Sequence, residues 1–312
     1  MYHRRNRGDN EPWTHDTILE KYRFTNVYRA TDRVSQYLIR EVQYNPERSQ
    51  DLNEVFFRTM LFKLFNKIET WESLEKVNGP LSWSKTDLSK IDSLLTGLMD
   101  RGKTIYSAAY IMPSPAYGSK RKHTNHLSLL KCMMNDRVPD RIKQVPDLQS
   151  VYNIILSYPG LGPFLAYQYA IDLNYSSILQ FGEDGFVVAG PGALDGISKC
   201  FTSTGGMTPS ELIQWVTDRQ EIELAARSIK FPGLYGRKLQ PIDCQNIFCE
   251  ISKYARVAHP EISGVANRNR IKQGYRTNPR DIPLPFFPPR WELSVNLDQP
   301  VTKLVGGKTR LI

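Results

Sequence analysis

The chain is 312 residues long, 40% apolar and 23% charged, the balance of an ordinary globular protein rather than of a disordered or fibrous one. Forty-one Lys and Arg against 32 Asp and Glu leave a formal charge of +9, which favours a polyanionic partner, DNA or RNA ahead of an acidic membrane. No apolar run approaches membrane-spanning length, and Cys132, Cys200, Cys244 and Cys249 lack Cys-x-x-Cys spacing, which excludes a recognisable zinc or iron–sulfur arrangement.

Residues 1–15, with Arg4, Arg5 and Arg7, read as a basic arm without a signal peptide, so a reducing cytoplasm is the expected setting. Residues 16–42 place Ile18, Leu19, Val27, Val34, Leu38 and Ile39 at three- and four-residue steps, predicting one helix capped by Thr14 or Asp16. Residues 53–75 predict a second, whose aromatic stripe (Phe56, Phe57, Phe62, Phe65, Trp71) marks core. Helices are expected at 88–101 and 126–135, separated by a loop with Pro113, Pro115 and the run Lys120-Arg121-Lys122. His123 and His126 read as a surface pair, and no metal or other cofactor is expected. Further helices fall at 147–157, 163–173, 194–200, 209–227 and 242–256. Past residue 260 the composition turns Pro-rich and basic, the pattern of an irregular strap packing over the core. Strand propensity is concentrated nowhere. The fold class is therefore mostly α: a basic arm (1–15), a two-lobed helical domain (16–260) and a Pro-rich extension (261–312).

The turn Tyr158-Pro159-Gly160-Leu161-Gly162-Pro163-Phe164 joins the helices at 147–157 and 163–173 into a helix-hairpin-helix. Its glycines allow a tight turn with positive φ, and Pro163 suits a first helical turn. The bared amides around Gly160, Leu161, Gly162 and Phe164, beside a helix N-terminus, can cradle one DNA phosphate. Lys120, Arg121 and Lys122 are candidate DNA contacts as well. The same turn can also serve as a plain helix connection.

A glycine-rich loop follows, Phe181-Gly182-Glu183-Asp184-Gly185-Phe186, and then a second turn, Gly190-Pro191-Gly192, where backbone could again approach sugar or phosphate. Asp184 is the candidate catalytic carboxylate: breaking an N-glycosidic bond builds positive charge on the deoxyribose, which a carboxylate stabilises while activating water. Asp195, in Leu194-Asp195-Gly196, is the rival, and either aspartate could instead cap a helix. Two polar faces are candidate base-pocket residues: Arg23, Asn26, Arg29, Asp32, Arg33 and Gln36 on the first predicted helix, and Asn246, Glu250 and Lys253 on the last. Exposed salt-bridge stripes are the alternative reading of both.

Residues 53–200, roughly, resemble the helix-hairpin-helix DNA glycosylases, whose essential aspartate follows the Pro-Gly at a comparable offset; here Asp184 lies 25 positions past Pro159. That resemblance implies double-stranded DNA as partner, with the target base flipped into a pocket. Where bifunctional glycosylases carry a lysine nucleophile, this chain has Phe164, so no lyase step is expected. Four motifs in order resemble the α-glutamyl/putrescinyl thymine pyrophosphorylase family over residues 12–260, roughly. They are Pro12-Trp13-Thr14, the run from Tyr22 to Gln36, the loop from Asp184 to Ala193, and the helix from Gln245 to Tyr254. Phage members of that family are thought to replace an activated 5-hydroxymethyl group of uracil in DNA with an amine, and bacterial relatives excise hypermodified bases from phage DNA as an antiviral defence. The leading expectation is a monofunctional DNA glycosylase, a hydrolase acting on a hypermodified pyrimidine. The alternatives are a transferase substituting the 5-methylene group, and a non-catalytic DNA-binding module.

Overall fold

Helices carry the chain throughout: among the residues that this computed structural model describes (14–276 and 284–293) there is no strand, only two isolated β-bridges. In chain order the α-helices are α1 (Thr17–Lys21), α2 (Arg33–Tyr37), α3 (Leu52–Phe65), α4 (Ile68–Asn78), α5 (Leu88–Asp100), α6 (Lys122–Asn135) and α7 (Val138–Lys143). They continue as α8 (Leu148–Leu156), α9 (Pro163–Asn174), α10 (Pro191–Cys200), α11 (Pro209–Asp218), α12 (Gln220–Ala226) and α13 (Pro241–Ala258). The mostly helical class expected from the sequence holds. No helix among the described residues is long and apolar enough to cross a membrane.

Three predicted helices are interrupted, each for a visible reason. The segment expected as one helix from 16 to 42 is α1, an irregular stretch, a 3-10 turn at Arg29–Thr31, α2 and a π-helical turn at Leu38–Gln43. Asp16 caps α1 by accepting the Ile18 and Leu19 amides at 2.8 and 3.1 Å. Beyond it, Asn26 spends its side-chain amide on the Thr31 carbonyl (2.9 Å), and tertiary partners take the backbone of Arg23, Thr25 and Arg29, so the i, i+4 ladder cannot continue. The second segment breaks at Asn66, held left-handed at φ +48 while its carboxamide oxygen accepts Lys63 at 2.7 Å. The third breaks at Arg219, between α11 and α12.

The chain divides into two compact units. One comprises residues 32–188 with 286–292. Its centre is α3, buried on nearly every side from Val55 to Phe65, including Arg58 and Lys63. Cations so placed need partners. Arg58 donates to the Val42 and Ser49 carbonyls at 3.0 and 2.7 Å, and burial pulls its pKa down to about 10. Lys63 forms an ion pair with Asp172 of α9 at 2.9 Å, both side chains almost wholly buried. Residues 286–292 pack into this unit: Gln36 bonds both the N–H and the C=O of Phe286 (2.8 and 3.0 Å), and Trp291 stands edge-on to Tyr175. The other unit comprises the remaining residues, 1–31, 189–285 and 293–312; of these, the basic arm to residue 13 and Arg280 lie outside the described residues.

In that second unit α10 lies directly on α13. Gly192 faces Cys249 and Gly196 faces the Phe248 carbonyl; a Cβ at Gly196 would fall 1.9 Å from that oxygen. No rotamer relieves a clash with backbone, so the two helices would have to separate. Gly196→Ala should therefore lower stability by about 3 kcal/mol, at the upper end of overpacking costs, read as a lower urea midpoint with an unchanged slope.

Candidate nucleic-acid interface

The hairpin segment is a turn between α8 and α9. Gly160 takes φ +81, whereas Gly162 is extended (φ −69) and serves as the N-cap of α9. Only Gly160 therefore needs the glycine conformation. Its back is against Pro115, whose atoms would lie 3.0–3.2 Å from a Cβ, while a Cβ on Gly162 would meet open space. Leu161 is buried and anchors the turn, so of the predicted contacts it offers backbone alone. The first amides of α9, including Phe164 and Leu165, have no intrahelical acceptor and lie beside exposed Gly162 and Pro163. Phe164 is tilted against Tyr110, with ring centroids 5.9 Å apart.

Basic residues flank the turn. Pro115 belongs to the loop that also carries Lys120 and Arg121, both exposed. Lys122 is different: its ammonium sits 4.3 Å above the Tyr106 ring, and burial holds its pKa below the usual range. Arg141, exposed on α7, donates to the Tyr158 hydroxyl at 3.3 Å, and that hydroxyl donates to Asp136 at 2.9 Å. The histidines are not a surface pair, contrary to the sequence reading. Both are fully buried. His126 Nε2 donates to the Pro113 carbonyl and Nδ1 accepts the Tyr106 hydroxyl, each at 2.8 Å, while burial pushes its pKa down to about 4. It is a neutral post under the Pro113–Pro115 loop.

Asp184 lies on a loop tied to the same unit. Asn174, the last residue of α9, bonds the Phe181 backbone through both ends of its amide at 3.0 Å. Arg290 donates to the carbonyls of Asn174 and Phe181 and lies 3.3 Å from buried Glu183. Phe186 packs between Tyr152 of α8 and Tyr167 of α9 at 5.1 and 5.5 Å. The loop is thus fixed at both ends to the hairpin helices, with Asp184 exposed between the fixed points.

Asp195 has the opposite environment. It is completely buried on α10, where it accepts the Ser252 hydroxyl and the Ala266 amide (2.8 Å) and pairs with Lys199 at 3.3 Å. Burial raises its pKa, but those three donors together outweigh burial, and the carboxyl sits below its ordinary value. Gly190 is the buried N-cap of α10 and Gly192 faces Cys249, so both serve the helix pair.

The predicted base-pocket residues do not share one helical face, because the amino-terminal helix does not form. In one unit, Glu250 of α13 accepts the Thr25 amide (3.3 Å), Lys253 donates to the Arg23 carbonyl (2.9 Å), and Asp243 accepts the buried Arg29 amide (2.9 Å). Asn246 is half-buried on the same helix. The structure therefore brings the backbone of Arg23, Thr25 and Arg29 against α13, two motifs more than 200 residues apart. In the other unit Asp32 precedes α2, which carries Arg33 and the Gln36 that grips Phe286.

The described residues thus form a helical scaffold whose α8–α9 turn has exposed basic residues beside it. The chain belongs to the family described as the 5-hmdU DNA kinase, helical domain, whose profile matches residues 1–264. A protein of Bacillus phage SP10 named 5-hmdU DNA kinase is 25% identical over 271 residues, covering 81% of this chain and 42% of the relative. The chain thus spans less than half the length of that relative. No solved structure gives a significant match. The broader resemblance to phage enzymes of thymine hypermodification stands; the expectation of a glycosylase does not. The family and the relative are named for a kinase, which adds a phosphoryl group to a hydroxyl and leaves the N-glycosidic bond whole. The hairpin and its downstream aspartate misled because a turn of this kind and a nearby carboxylate are not specific to one chemistry.

A kinase name calls for a phosphate loop, and Gly97-Leu98-Met99-Asp100-Arg101-Gly102-Lys103-Thr104 spells one, a match the sequence reading missed. The structure rejects it. Such a loop follows a strand and opens a helix, whereas this stretch closes α5, and its amides are spent on that helix: Gly102 donates to Met99 and Lys103 to Leu98. Carbonyl ends, not N–H groups, face this turn, which repels an anion.

Asp195 gives a stability test. Its depressed pKa means its contribution is complete above about pH 4, near the unfolded carboxylate value, and is lost as pH falls through the lower folded value. Asp195→Asn should cost about 3 kcal/mol at neutral pH by stranding Lys199 and flatten the acid limb of stability, as followed by urea unfolding between pH 7 and 3.

Proposed function

We propose that this chain is the DNA-handling part of a transferase that works on 5-hydroxymethyluracil within double-stranded DNA. It holds the sugar-phosphate backbone at the Gly160–Phe164 hairpin, receives the modified base flipped out of the stack, and presents the 5-methylene group for exchange. The family match over residues 1–264 supports the modified base in DNA as the substrate, the exchange chemistry comes from the pyrophosphorylase resemblance, and the hairpin beside exposed Lys120, Arg121 and Arg141 supports the DNA grip. In the chemistry implied by the pyrophosphorylase resemblance, an amine attacks the methylene carbon of the activated base. The C–N bond forms, the C–O bond breaks, the activating phosphate or pyrophosphate departs, and the amine proton passes to a carboxylate. Asp184, exposed on a loop clamped to the hairpin helices, suits that proton acceptor better than the buried and fully bonded Asp195. A second reading is favoured by the relative's name: the exocyclic hydroxyl is presented for phosphorylation, with the phosphate donor bound elsewhere than at residues 97–104.

Duplexes carrying one 5-hydroxymethyluracil, compared with thymine duplexes, test this by fluorescence anisotropy and by nucleoside mass spectrometry after incubation with amine or ATP. Preferential binding of the modified duplex is expected, with intact glycosidic bonds. Gain of an amine on an activated base, or of a phosphoryl group on the free hydroxyl, separates the two readings; equal affinity for both duplexes sinks them.

The hairpin glycines give a finer test. Gly162→Ala meets open space and should fold as the parent does, yet weaken binding of every duplex by about three- to tenfold if a phosphate approaches there. Gly160→Val should lower the unfolding temperature by several degrees, because it adds both positive-φ strain and a clash with Pro115. Full-affinity binding by a folded Gly162→Ala protein would make the hairpin a structural turn.

A further inference from the structure

One apolar side chain stands bare beside the hairpin and has no part in the reading above. Ile111 is 89% exposed, more than any other large apolar residue among those described. It belongs to the same unit as the hairpin, on the stretch 110–115 that runs along it. At one end of that stretch the Tyr110 ring meets Phe164, with centroids 5.9 Å apart. At the other end buried Pro115 backs onto Gly160, within 3.0–3.2 Å of where a Cβ would stand. Residues 111–114 therefore pass from one end of the hairpin turn to the other.

The neighbours of Ile111 are tied down. The Tyr110 hydroxyl donates to Gln168 at 3.3 Å, and Met112 is buried, its sulfur accepting the Tyr169 hydroxyl at 3.5 Å. The Pro113 carbonyl accepts His126 at 2.8 Å, and the Ser114 hydroxyl accepts the Asn125 carboxamide at 2.9 Å. A scattered exposed isoleucine needs no explanation. One held out from a loop braced on both sides does, and its β-branched side chain is stiff as well. The charge nearby is cationic: Lys120 and Arg121 follow on the same loop and Arg141 lies on α7, all exposed. Arg121 shares its charge with Asp100 at 3.4 Å, whereas among the described residues neither Lys120 nor Arg141 is in an ion pair. Cations and bared amides that hold phosphates, with an apolar tip between them, match the way proteins enter a base step: the wedge takes the place of a stacking neighbour.

We propose that Ile111 is an apolar wedge that enters the base stack of double-stranded DNA where the modified base has left it, and so holds that base out. The inference rests on the DNA reading above and adds a contact to the stack, where the hairpin offers only contacts to the backbone. Opening a stack is unfavourable, and burying the bare isoleucine between bases offsets part of that cost. A single apolar tip among cations and polar loop residues fits a polyanion with an apolar interior better than it fits an apolar protein face.

The test uses the full chain and 2-aminopurine beside 5-hydroxymethyluracil, in a duplex and in the corresponding single strand. Ile111→Ala removes an exposed side chain, so its unfolding temperature should match the parent's. Its duplex affinity should fall about tenfold, and the rise of 2-aminopurine fluorescence on duplex binding should be lost. Its single-strand affinity should stay at the parent's value, because a single strand has no stack to hold open. Ile111→Leu should keep all of these parental values. An Ile111→Ala protein with parental duplex affinity and parental fluorescence response overturns the wedge. So does an equal loss on duplex and single strand, which makes Ile111 a general contact, and so does a sharp drop in unfolding temperature, which makes it a packing element. A parent that self-associates until Ile111→Ala disperses it, with duplex binding unchanged, overturns it in favour of a second copy of the chain. A parent that binds no duplex overturns the DNA reading itself, an outcome distinct from a binding parent with an unaffected variant.

Discussion

The pair of Lys63 and Asp172 joins α3 to α9 inside the larger unit, and the hairpin stands on α9. Two charges removed from water are expensive, and their mutual attraction compensates only when the remaining donors and acceptors are satisfied. Here Asn66 takes a second proton of the ammonium at 2.7 Å, and the Tyr110 ring covers it with its centroid 4.9 Å away. Losing either partner would leave a bare buried charge, costing about 3–5 kcal/mol. Neither helix can therefore slide past the other. The position of the hairpin turn, and of the loop bearing Asp184 that hangs from the end of α9, follows from this pairing.

Much of the helical scaffold was legible because periodic apolar residues meet periodic cores. The elements α5, α8, α9 and α13 lie within a residue or two of where the pattern put them. What could not be read was decided by partners distant in sequence. The residues from Arg23 to Arg29 have helical spacing, but Glu250, Lys253 and Asp243 claim their backbone. His123 and His126 look polar and superficial in one dimension, and only the Tyr106 hydroxyl and the Pro113 carbonyl make burial of His126 tolerable. Glycine was ambiguous for a related reason. The residue type records that a side chain is unwelcome, and it cannot record whether a phosphate or, as at Gly196, another helix's carbonyl takes the space.

The two aspartates show how environment separates identical side chains. Asp195 is enclosed by a hydroxyl, an amide and an ammonium, and its neighbour Gly264 approaches so closely that a Cβ there would overlap the carboxylate. Its charge is fully used in holding residues 264–266 to α10. Asp184 is held by its loop's ends and not by its own oxygens, which is the arrangement that leaves a carboxylate available to a reacting group.

Both units are discontinuous in sequence, and that has a consequence for how the chain is made. Gln36 completes its bonds only when Phe286 exists, 250 positions later, and Asp16 meets Tyr254 across 238. During synthesis neither unit can close until most of the polypeptide has left the ribosome. The apolar stripe of α3 must wait beside an unfinished neighbour, and closure of such long loops slows the search for native pairings. A truncation near residue 260 would take residues 264–266 from the Asp195 carboxylate in one unit, and it would also leave the unit assembled from residues 32–188 without its last turn of chain.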